Sequence, residues 1–350
     1  MCAAPTPLRR SRRTIPSMAE PGQGQADAGD EFALIAALFA PLATHPAARG
    51  LKDDAALWPL EGPTVMTCDA IVEGVHFLPD DPIETVAQKA LRVNISDLAA
   101  KGAKPDGVLI SLIWPQHRPA SDIAGFAKGL AEDLSAFGCA LLGGDMTSTP
   151  GPLTVSVMAF GRPYGDRSPA RADAVPGQDL WVTGTIGDAV LGLAAAQGRL
   201  QASSEDSAFL IDRYRRPQAR AGFAETIARQ AGAAMDVSDG LIADARKLAA
   251  ASGLALRLDL TAIPLSPAAT RALAASGASL ADLVTGGDDY EILFTADPAA
   301  APALEAAAKA IGLRLTRIGE TLPGHGVEAL LPDGRDLGAE GGGFVHRLGA

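Results

Sequence analysis

Apolar residues spaced three and four positions apart recur along the chain and predict a series of helices. They predict an amphipathic helix over 31–43 and a long helix over 85–103, which Gly102 and the following Lys104–Pro105 pair should end. A third helix is predicted over 121–138, with Ser121 as a candidate N-cap. The other predicted helices cover 185–198, 205–214, 217–232, 240–252 and 298–312.

Shorter apolar runs between the helices predict β-strands. The segment 64–77 begins as a strand and ends in a glycine-containing turn. Strands and helices mix without a strict βαβ rhythm, so the pattern indicates an α+β fold. The remaining predicted strands are 107–114, 140–145, 153–161, 179–184, 254–260 and 290–296.

The periodic pattern is interrupted at 161–177, where Gly, Pro and charged residues accumulate. Such a stretch is typical of a domain boundary. We therefore predict two α+β domains, an N-terminal domain over 31–165 and a C-terminal domain over 175–350. The chain is long enough to give each domain its own hydrophobic core.

Residues 1–30 differ in composition from the rest of the chain and are predicted to form a disordered leader. The stretch PTPLRRSRRTIPS carries four arginines and no acidic residue. It weakly resembles an organelle transit peptide, but it is short and interrupted by proline. We favour the alternative that translation begins at Met18.

Composition excludes several functional classes. The net charge of −11 argues against nucleic acid or an anionic membrane surface as a partner, and no apolar run is long enough to span a bilayer. Cys2, Cys68 and Cys139 make neither a disulfide framework nor a zinc cluster, and they fit a reducing, cytoplasmic compartment. An acidic protein can still bind phosphates where divalent cations invert the local charge.

Acidic residues recur in short contexts flanked by Gly or Ser, each at a predicted turn or at the end of an apolar segment. Any one of them alone would be a turn residue or a helix cap. As a set they are the hard oxygen ligands that Mg²⁺ binds together with water and substrate phosphates. Without cations, carboxylates that converge would repel one another. These acids are Asp53, Asp54, Asp69, Asp97, Asp145, Asp236, Asp239, Asp288, Asp289 and Glu291.

Other candidate residues keep a structural alternative. Asn94 and Asp97 share one face of a predicted helix, which either points into a site or forms a polar stripe between helices. Gly143 and Gly144 would let the backbone approach a ligand closely, although many loops use such pairs. His76 is one of five histidines, and a lone histidine is more often structural than functional. The sequence carries no P-loop, protein-kinase, nucleophile-elbow or zinc signature.

Six motifs together resemble the thiamine-monophosphate kinase family, in the superfamily of aminoimidazole ribonucleotide synthetase and selenophosphate synthetase. In chain order they are DDAALW, TCDAIVEGVHF, KALRVNISDLAAKGAKP, GGDMTS, DVSDGL and GGDDYEILF. Each motif is modest alone, but six in the family's order are specific. The resemblance implies transfer of the γ-phosphoryl group of ATP to thiamine monophosphate, which gives thiamine diphosphate and ADP. It also implies a homodimer whose N-terminal domains pair strands across the interface.

The resemblance implies roles for individual residues. Several Mg²⁺ ions would be bound by Asp53, Thr67, Cys68, Asp69, Asp97, Asp145, Asp236 and Asp239. ATP would be contacted by Gly144, Asp145, Arg171 and Ser238, and thiamine monophosphate by His76, Asp288 and Phe344. No protein nucleophile or base is expected, because the second pKa of a phosphate monoester is about 6 and the acceptor is already largely dianionic near neutral pH.

The chain departs from the family pattern at three positions. Lys52 stands where glycine is usual before Asp53, Cys68 where Thr or Ser is usual, and Asp288 where Glu is common. Two alternatives remain open: another ATP-dependent member of the superfamily resembling aminoimidazole ribonucleotide synthetase, and a non-catalytic nucleotide- or metal-binding relative. Selenophosphate synthetase would carry a reactive cysteine in an N-terminal glycine-rich loop, and it is disfavoured because the only early cysteine here is Cys2 in the leader. The hydrogenase-maturation relative uses a C-terminal cysteine, and it is disfavoured because this sequence has VHRLGA at that position.

Overall fold

Two β-sheets organise the computed structural model, which describes residues 31–58, 62–331, 335–340 and 343–344. The strands of the first sheet lie within residues 65–163 and those of the second within 179–328. The predicted leader falls outside the described residues. None of the helices in the described part is both long and apolar enough to cross a membrane.

The first sheet has four strands: β1 (Val65–Val72), β2 (Ala103–Pro115), β3 (Ala140–Thr149) and β4 (Thr154–Pro163). Their order across the sheet is β1–β4–β2–β3, so that β1 and β3 form its two edges. β4 is antiparallel to both β1 and β2, while β2 and β3 run parallel. All four strands match predicted strands, and β2 extends well beyond its prediction.

The helices of the first half are α1 (Glu31–Leu34), which continues as a π-helical turn, α2 (Ile83–Ala100) and α3 (Asp122–Phe137). Leu91 and Ile95 of α2 and Phe126 of α3 join the sheet's apolar core. Ser121 lies at the N-cap position of α3, as predicted, but its side chain does not cap the helix. Ser121 has helical φ and ψ and makes no capping hydrogen bond, because capping requires an extended backbone at that position.

The second sheet has six strands: β5 (Asp179–Thr183), β6 (Ala231–Asp236), β7 (Ala255–Leu258), β8 (Ile292–Ala296), β9 (Leu315–Leu322) and β10 (Gly326–Glu328). Their order is β10–β7–β9–β5–β8–β6. The pairing is antiparallel except between β10 and β7. Sheets and helices together confirm the predicted α+β class.

The second half contains α4 (Asp188–Ala196), α5 (Ser204–Arg215), α6 (Ala224–Gln230), α7 (Leu241–Ser252), α8 (Pro267–Ser276), α9 (Leu280–Thr285), α10 (Ala301–Ala310) and α11 (Leu337–Glu340). The helix predicted over 217–232 is wrong at both ends. Only α6 is α-helical there, and from Ala231 onward the chain pairs with β8 as strand β6. The alanine-rich stretch before Asp236 fits both the helical and the strand pattern of apolar residues, and its pairing with β8 makes it a strand.

Helix α2 lies between the two sheets and has almost no solvent-exposed side. Thirteen of its 18 residues are buried. Its C-terminal Ala99 and Ala100 pack with Phe223 and Ile227 of the second half, although the middle of the helix belongs to the core of the first. Gly102 follows α2 with φ 64°, and a Cβ there would come within 2.8 Å of Ala228, so that glycine permits the close contact between the halves.

Candidate active site

A cavity of about 480 Å³ opens where α2 meets both sheets. Asp69 of β1 and His76 of the following loop line it from the first half. Ser238, Asp239 and Asp288 line it from the second half. Apolar side chains complete the wall: Ile71, Val75, Val93, Val190, Leu193 and Phe344. The cavity therefore combines an acidic region with an apolar one.

The acidic region begins where β1 faces α2. Alternation along β1 turns Thr67 and Asp69 inward. The Thr67 hydroxyl donates to Asp97 Oδ2, and the backbone N–H of Asp69 donates to Asn94 Oδ1 over 3.0 Å. The face that Asn94 and Asp97 share therefore points at β1 and into the acidic region, so the alternative of a polar stripe between helices is excluded.

Asp236 reaches the same region from the second half. It is the last residue of β6, and its Oδ2 accepts a 2.7 Å hydrogen bond from the Ser96 hydroxyl of α2. Helix α2 thus holds carboxylates from β1 and β6 next to its own Asp97. The close approach of these acids, which the sequence could not show, is a consequence of one helix packing between two sheets.

The electrostatics of the acidic region reflect crowding of negative charge. Burial, followed by repulsion from Asp97 and Asp239, raises the pKa of Asp69 to about 6. Burial, followed by repulsion from Asp97, raises the pKa of Asp236 to about 8. Within the described part of the chain, Asp69, Asp97 and Asp236 form no ion pair with a lysine or arginine. A bound cation would relieve this repulsion.

The donor set fits Mg²⁺ bound jointly by protein and substrate. The oxygen atoms are carboxylates and a hydroxyl, which are hard ligands. Over the described residues, no three acidic, His or Cys side chains converge closely enough to hold one metal ion on their own. That spacing suits an ion that takes one or two carboxylates from the protein and its other ligands from phosphate and water.

Asp239 lies at the cavity wall but already has a cationic partner. Lys247 Nζ donates to Asp239 Oδ2, and it also donates to Asp244 Oδ1 at 2.7 Å. The backbone N–H of Asp239 is held by Asp244 as well, at 3.0 Å. Binding of a metal by Asp239 would therefore compete with this lysine.

The three residues expected to contact the substrate meet at the cavity. The rings of His76 and Phe344 lie edge to face, 6.5 Å apart. His76 Nδ1 accepts from the Val72 N–H at 3.0 Å, so a neutral ring carries its proton on Nε2. Asp288 has φ 73°, unusual for a residue other than glycine, and its N–H donates to the Ser238 carbonyl at 2.8 Å.

Within a single chain, three of the expected metal ligands do not point into the acidic region formed by Asp69, Asp97 and Asp236. Asp53 is exposed and pairs with Arg49, which lowers the pKa of its carboxyl. Cys68 faces the opposite side of β1 from Asp69, with its Sγ 3.7 Å from Ser156 Oγ. Asp145 is exposed on β3 at the far edge of the sheet, three strand spacings or about 14 Å from β1.

The residues expected to bind ATP are also dispersed. Ser238 lines the cavity, whereas Gly144 lies beside Asp145 on β3. A Cβ on Gly144 would lie 1.9 Å from the Ile110 carbonyl oxygen, so strand packing alone already requires glycine there. Arg171 is exposed in the segment that connects the two sheets.

The connecting segment is anchored next to the acidic region by Lys101. Its Nζ donates to the Pro169 carbonyl at 3.2 Å, and its own carbonyl accepts from the Ser168 hydroxyl at 2.7 Å. Burial, followed by repulsion from Arg171, lowers the pKa of Lys101. Arg171 is therefore held at the end of α2 that carries Asp97.

The metal-free protein should lose stability as the pH rises. An unfolded aspartate has a pKa of about 3.9, whereas Asp69 and Asp236 have values of about 6 and about 8 when folded. Between the unfolded pKa and each folded pKa, the folded state binds more protons than the unfolded state. The free energy of unfolding therefore falls as the pH rises from about 4 to about 8. Thermal unfolding in EDTA between pH 5 and pH 8 measures the slope. Asp236→Asn should flatten it, and an unchanged slope in that variant would contradict this explanation.

Comparison with known proteins gives matches over both sheets. The AIR synthase related protein N-terminal domain matches residues 52–162 and the corresponding C-terminal domain matches 175–331. A curated thiamine-monophosphate kinase from Caulobacter vibrioides is 43% identical over 322 residues, which cover 90% of each chain.

Solved structures agree with this assignment. The thiamine-monophosphate kinase from Stenotrophomonas maltophilia has a TM-score of 0.74 and 37% identity, covering 82% of this chain and 90% of that one. AaThiL complexed with AMPPCP and TMP has a TM-score of 0.72 and 32% identity, covering 83% and 90%. The chain belongs to the thiamine-monophosphate kinase family of AIR synthase related proteins.

Proposed function

We propose that the protein transfers the γ-phosphoryl group of ATP to thiamine monophosphate, giving thiamine diphosphate and ADP. The observation that carries this proposal is the match, over nine tenths of both chains, to a curated thiamine-monophosphate kinase. A relative that binds AMPPCP and TMP supports the same pair of substrates. Within the chain, motif residues from both halves line one cavity whose wall combines carboxylates with apolar and aromatic side chains.

The chemistry requires two polyanions to meet in line. The acceptor phosphate is already largely dianionic near neutral pH, so transfer needs no protein base and no phosphorylated enzyme. The residues of this chain have to position the phosphates and exclude water. The acidic region can do this only with cations present, because its carboxylates would otherwise repel both substrates.

We assign the cation sites to Asp69, Asp97 and Asp236, with Thr67 beside them. Bound Mg²⁺ ions would screen the phosphates and stabilise the charge that develops during transfer. Asp97 is central, because it accepts from Thr67 and raises the pKa of both neighbouring acids. Asp53, Cys68, Asp145 and Asp239 complete the set of ligands implied by the family resemblance.

The acceptor would bind against the aromatic side chains of the cavity wall. Phe344 and the ring of His76 offer aromatic surface to a heterocycle. His76 can donate from Nε2 because its Nδ1 is occupied by the Val72 N–H. Asp288 supplies a carboxylate for the amino group or the positive charge of the acceptor.

The decisive assay mixes purified protein with ATP, Mg²⁺ and thiamine monophosphate and separates the thiamine species by chromatography. Thiamine diphosphate should form in equal amount to ADP, and EDTA or omission of ATP should abolish it. ATP binding without any diphosphate would overturn the substrate assignment. Aminoimidazole precursors would then test the related synthetase activity.

We also propose that the active unit is a homodimer. Two features of the first sheet support it. Met66 and Met158 are 64% and 40% exposed on the face away from α2, and the edge strands β1 and β3 carry Asp69 and Asp145 at opposite sides. A dimer that pairs β1 of one copy with β3 of the other would place the strands that carry these two acids next to each other, and we propose that they then share one site.

Mixing two inactive variants tests this shared site. Asp69→Asn and Asp145→Asn should each be nearly inactive alone. In an equal mixture of reassembled subunits, half of the dimers are mixed and each contains one intact site, so about a quarter of the parent activity should return. Absence of recovery from dimers that have demonstrably exchanged subunits would place both residues of each site in one chain.

We assign the protein to the cytoplasm. Cys68 and Cys139 are free thiols, and burial raises the pKa of Cys139 to about 12, which keeps that thiol protonated and unreactive. Free cysteines are typical of a reducing compartment, where ATP and Mg²⁺ are also available. Fractionation of cells that express the native protein, with detection of its N-terminus, tests both the location and the start at Met18.

A further inference from the structure

Lys89 is a buried lysine to which the family motifs assign no role. It lies in the first half of α2, and its side chain is 1% exposed. Its Nζ donates to Asp288 Oδ2 and to the His76 carbonyl oxygen, both at 2.7 Å. The same ammonium group lies 4.1 Å from the centre of the Tyr214 ring. Three contacts of this kind satisfy its three donors and its charge.

The two acceptors of Lys89 belong to cavity-lining residues from different halves of the chain. His76 follows β1 in the first half, and Asp288 precedes β8 in the second half. Both line the cavity, whereas Lys89 itself does not. Lys89 therefore connects the His76 loop to Asp288 from outside the cavity and sets the distance between them.

Asp288 has particular need of such a support. Its φ of 73° lies in the left-handed region, which is strained for a residue with a side chain. Tyr290, two residues later, also has a positive φ of 51°. Lys89 holds Oδ2 of this carboxylate, and Asp288 is a lining residue of the cavity. Removing the lysine would release the carboxylate and allow the strained loop to relax.

We propose that Lys89 is a positioning residue for the acceptor: it holds Asp288 and the His76 loop at the spacing that the acceptor requires, and so determines the KM for that substrate. This inference rests on the proposed function. It predicts an effect on the acceptor alone, because Lys89 contacts two residues expected to bind the acceptor and lies about two helical turns before Asp97 on α2.

The test compares Lys89→Met, Lys89→Arg and Asp288→Asn with the double variant Lys89→Met/Asp288→Asn. Lys89→Met should raise the KM for thiamine monophosphate about tenfold or more, with the KM for ATP changed less than about twofold. Lys89→Arg should recover part of the loss. In the Asp288→Asn background, Lys89→Met should add little, because both residues act as one unit.

Arg92→Met is the matched control. Arg92 lies on the same helix and pairs with Asp133 at 2.6 Å, away from the cavity. Arg92→Met should lower the melting temperature without changing the ratio of the KM for thiamine monophosphate to the KM for ATP. Equal increases in both KM values for Lys89→Met, or full additivity with Asp288→Asn, would overturn the positioning role.

Two further measurements keep the inference independent of folding and of turnover. If Lys89→Met fails to fold, the neutral double variant is compared with Asp288→Asn alone, and any large difference in acceptor KM then contradicts the proposal.

Calorimetric binding of thiamine monophosphate, with a non-hydrolysable ATP analogue present, gives the affinity without catalysis. If the parent protein makes no thiamine diphosphate, the function fails, and weaker acceptor binding in Lys89→Met would still support Lys89. Unchanged binding would refute it.

Discussion

Replacing Asp97 by Asn is expected to lower kcat by about a hundredfold or more while the fold stays intact. The substitution keeps the shape and the hydrogen bond from Thr67 but removes one negative charge from the centre of the acidic region. The remaining carboxylates would then bind cations less tightly. The same loss of charge relieves the repulsion that raises the pKa values of Asp69 and Asp236, so the metal-free variant should be at least as stable as its parent.

The measurement pairs kcat for thiamine diphosphate formation with thermal unfolding in EDTA. Asp212→Asn is a suitable control, because Asp212 of α5 forms an exposed ion pair with Arg216 just after that helix. This substitution should change neither quantity much. A stable Asp97→Asn protein with turnover near that of the parent would remove Asp97 from the cation sites. A variant that unfolds would instead show that the carboxylate has a structural role.

Replacing Glu291 by Gln should cost about 3 kcal/mol or more of stability. Glu291 is fully buried, and its carboxylate accepts from Arg213 at 2.7 Å, from Arg220 and from the Thr183 hydroxyl at 2.8 Å. An amide cannot neutralise two arginines and must turn its NH₂ group toward a donor. Arg213, which is itself buried, would keep only the more distant Asp188 at 3.6 Å.

Urea denaturation of the parent and the variant measures this loss. Glu225→Gln is the control, because Glu225 pairs with Arg229 on the protein surface and should change the free energy of unfolding by less than about 0.5 kcal/mol. If the two variants lose equal stability, the contacts of Glu291 with Arg213 and Arg220 do not stabilise the fold.

Much of the fold could be predicted because the elements that position the site have strong local signals. Helix α2 combines a long apolar pattern with Gly102 at its end, and β1 alternates inward and outward residues. Strand β9 was not predicted, although it lies in the middle of the second sheet. Its sequence LTRIGETL mixes charged residues and a glycine, and only pairing on both sides makes it a strand.

The site was predictable as a set of residues and only partly as an arrangement. Motif order identified Asp69, Asp97 and Asp236, and the structure brings them together. Their approach depends on strand order and helix packing, which no local pattern encodes. Lys89 was overlooked because a lysine in a helix normally reaches solvent. The signal available was its position in the segment VAQKALRV, in which five of the seven other residues are apolar.

The burial of α2 on all sides also constrains how this sequence can change over time. Most helices in globular proteins have one face where substitutions accumulate at little cost. Helix α2 lacks such a face, because 13 of its 18 positions are buried and its polar side chains contact β1, β6 and the loop before β8. Divergence in substrate preference should therefore arise from substitutions in the surrounding loops, while the sequence of α2 changes little.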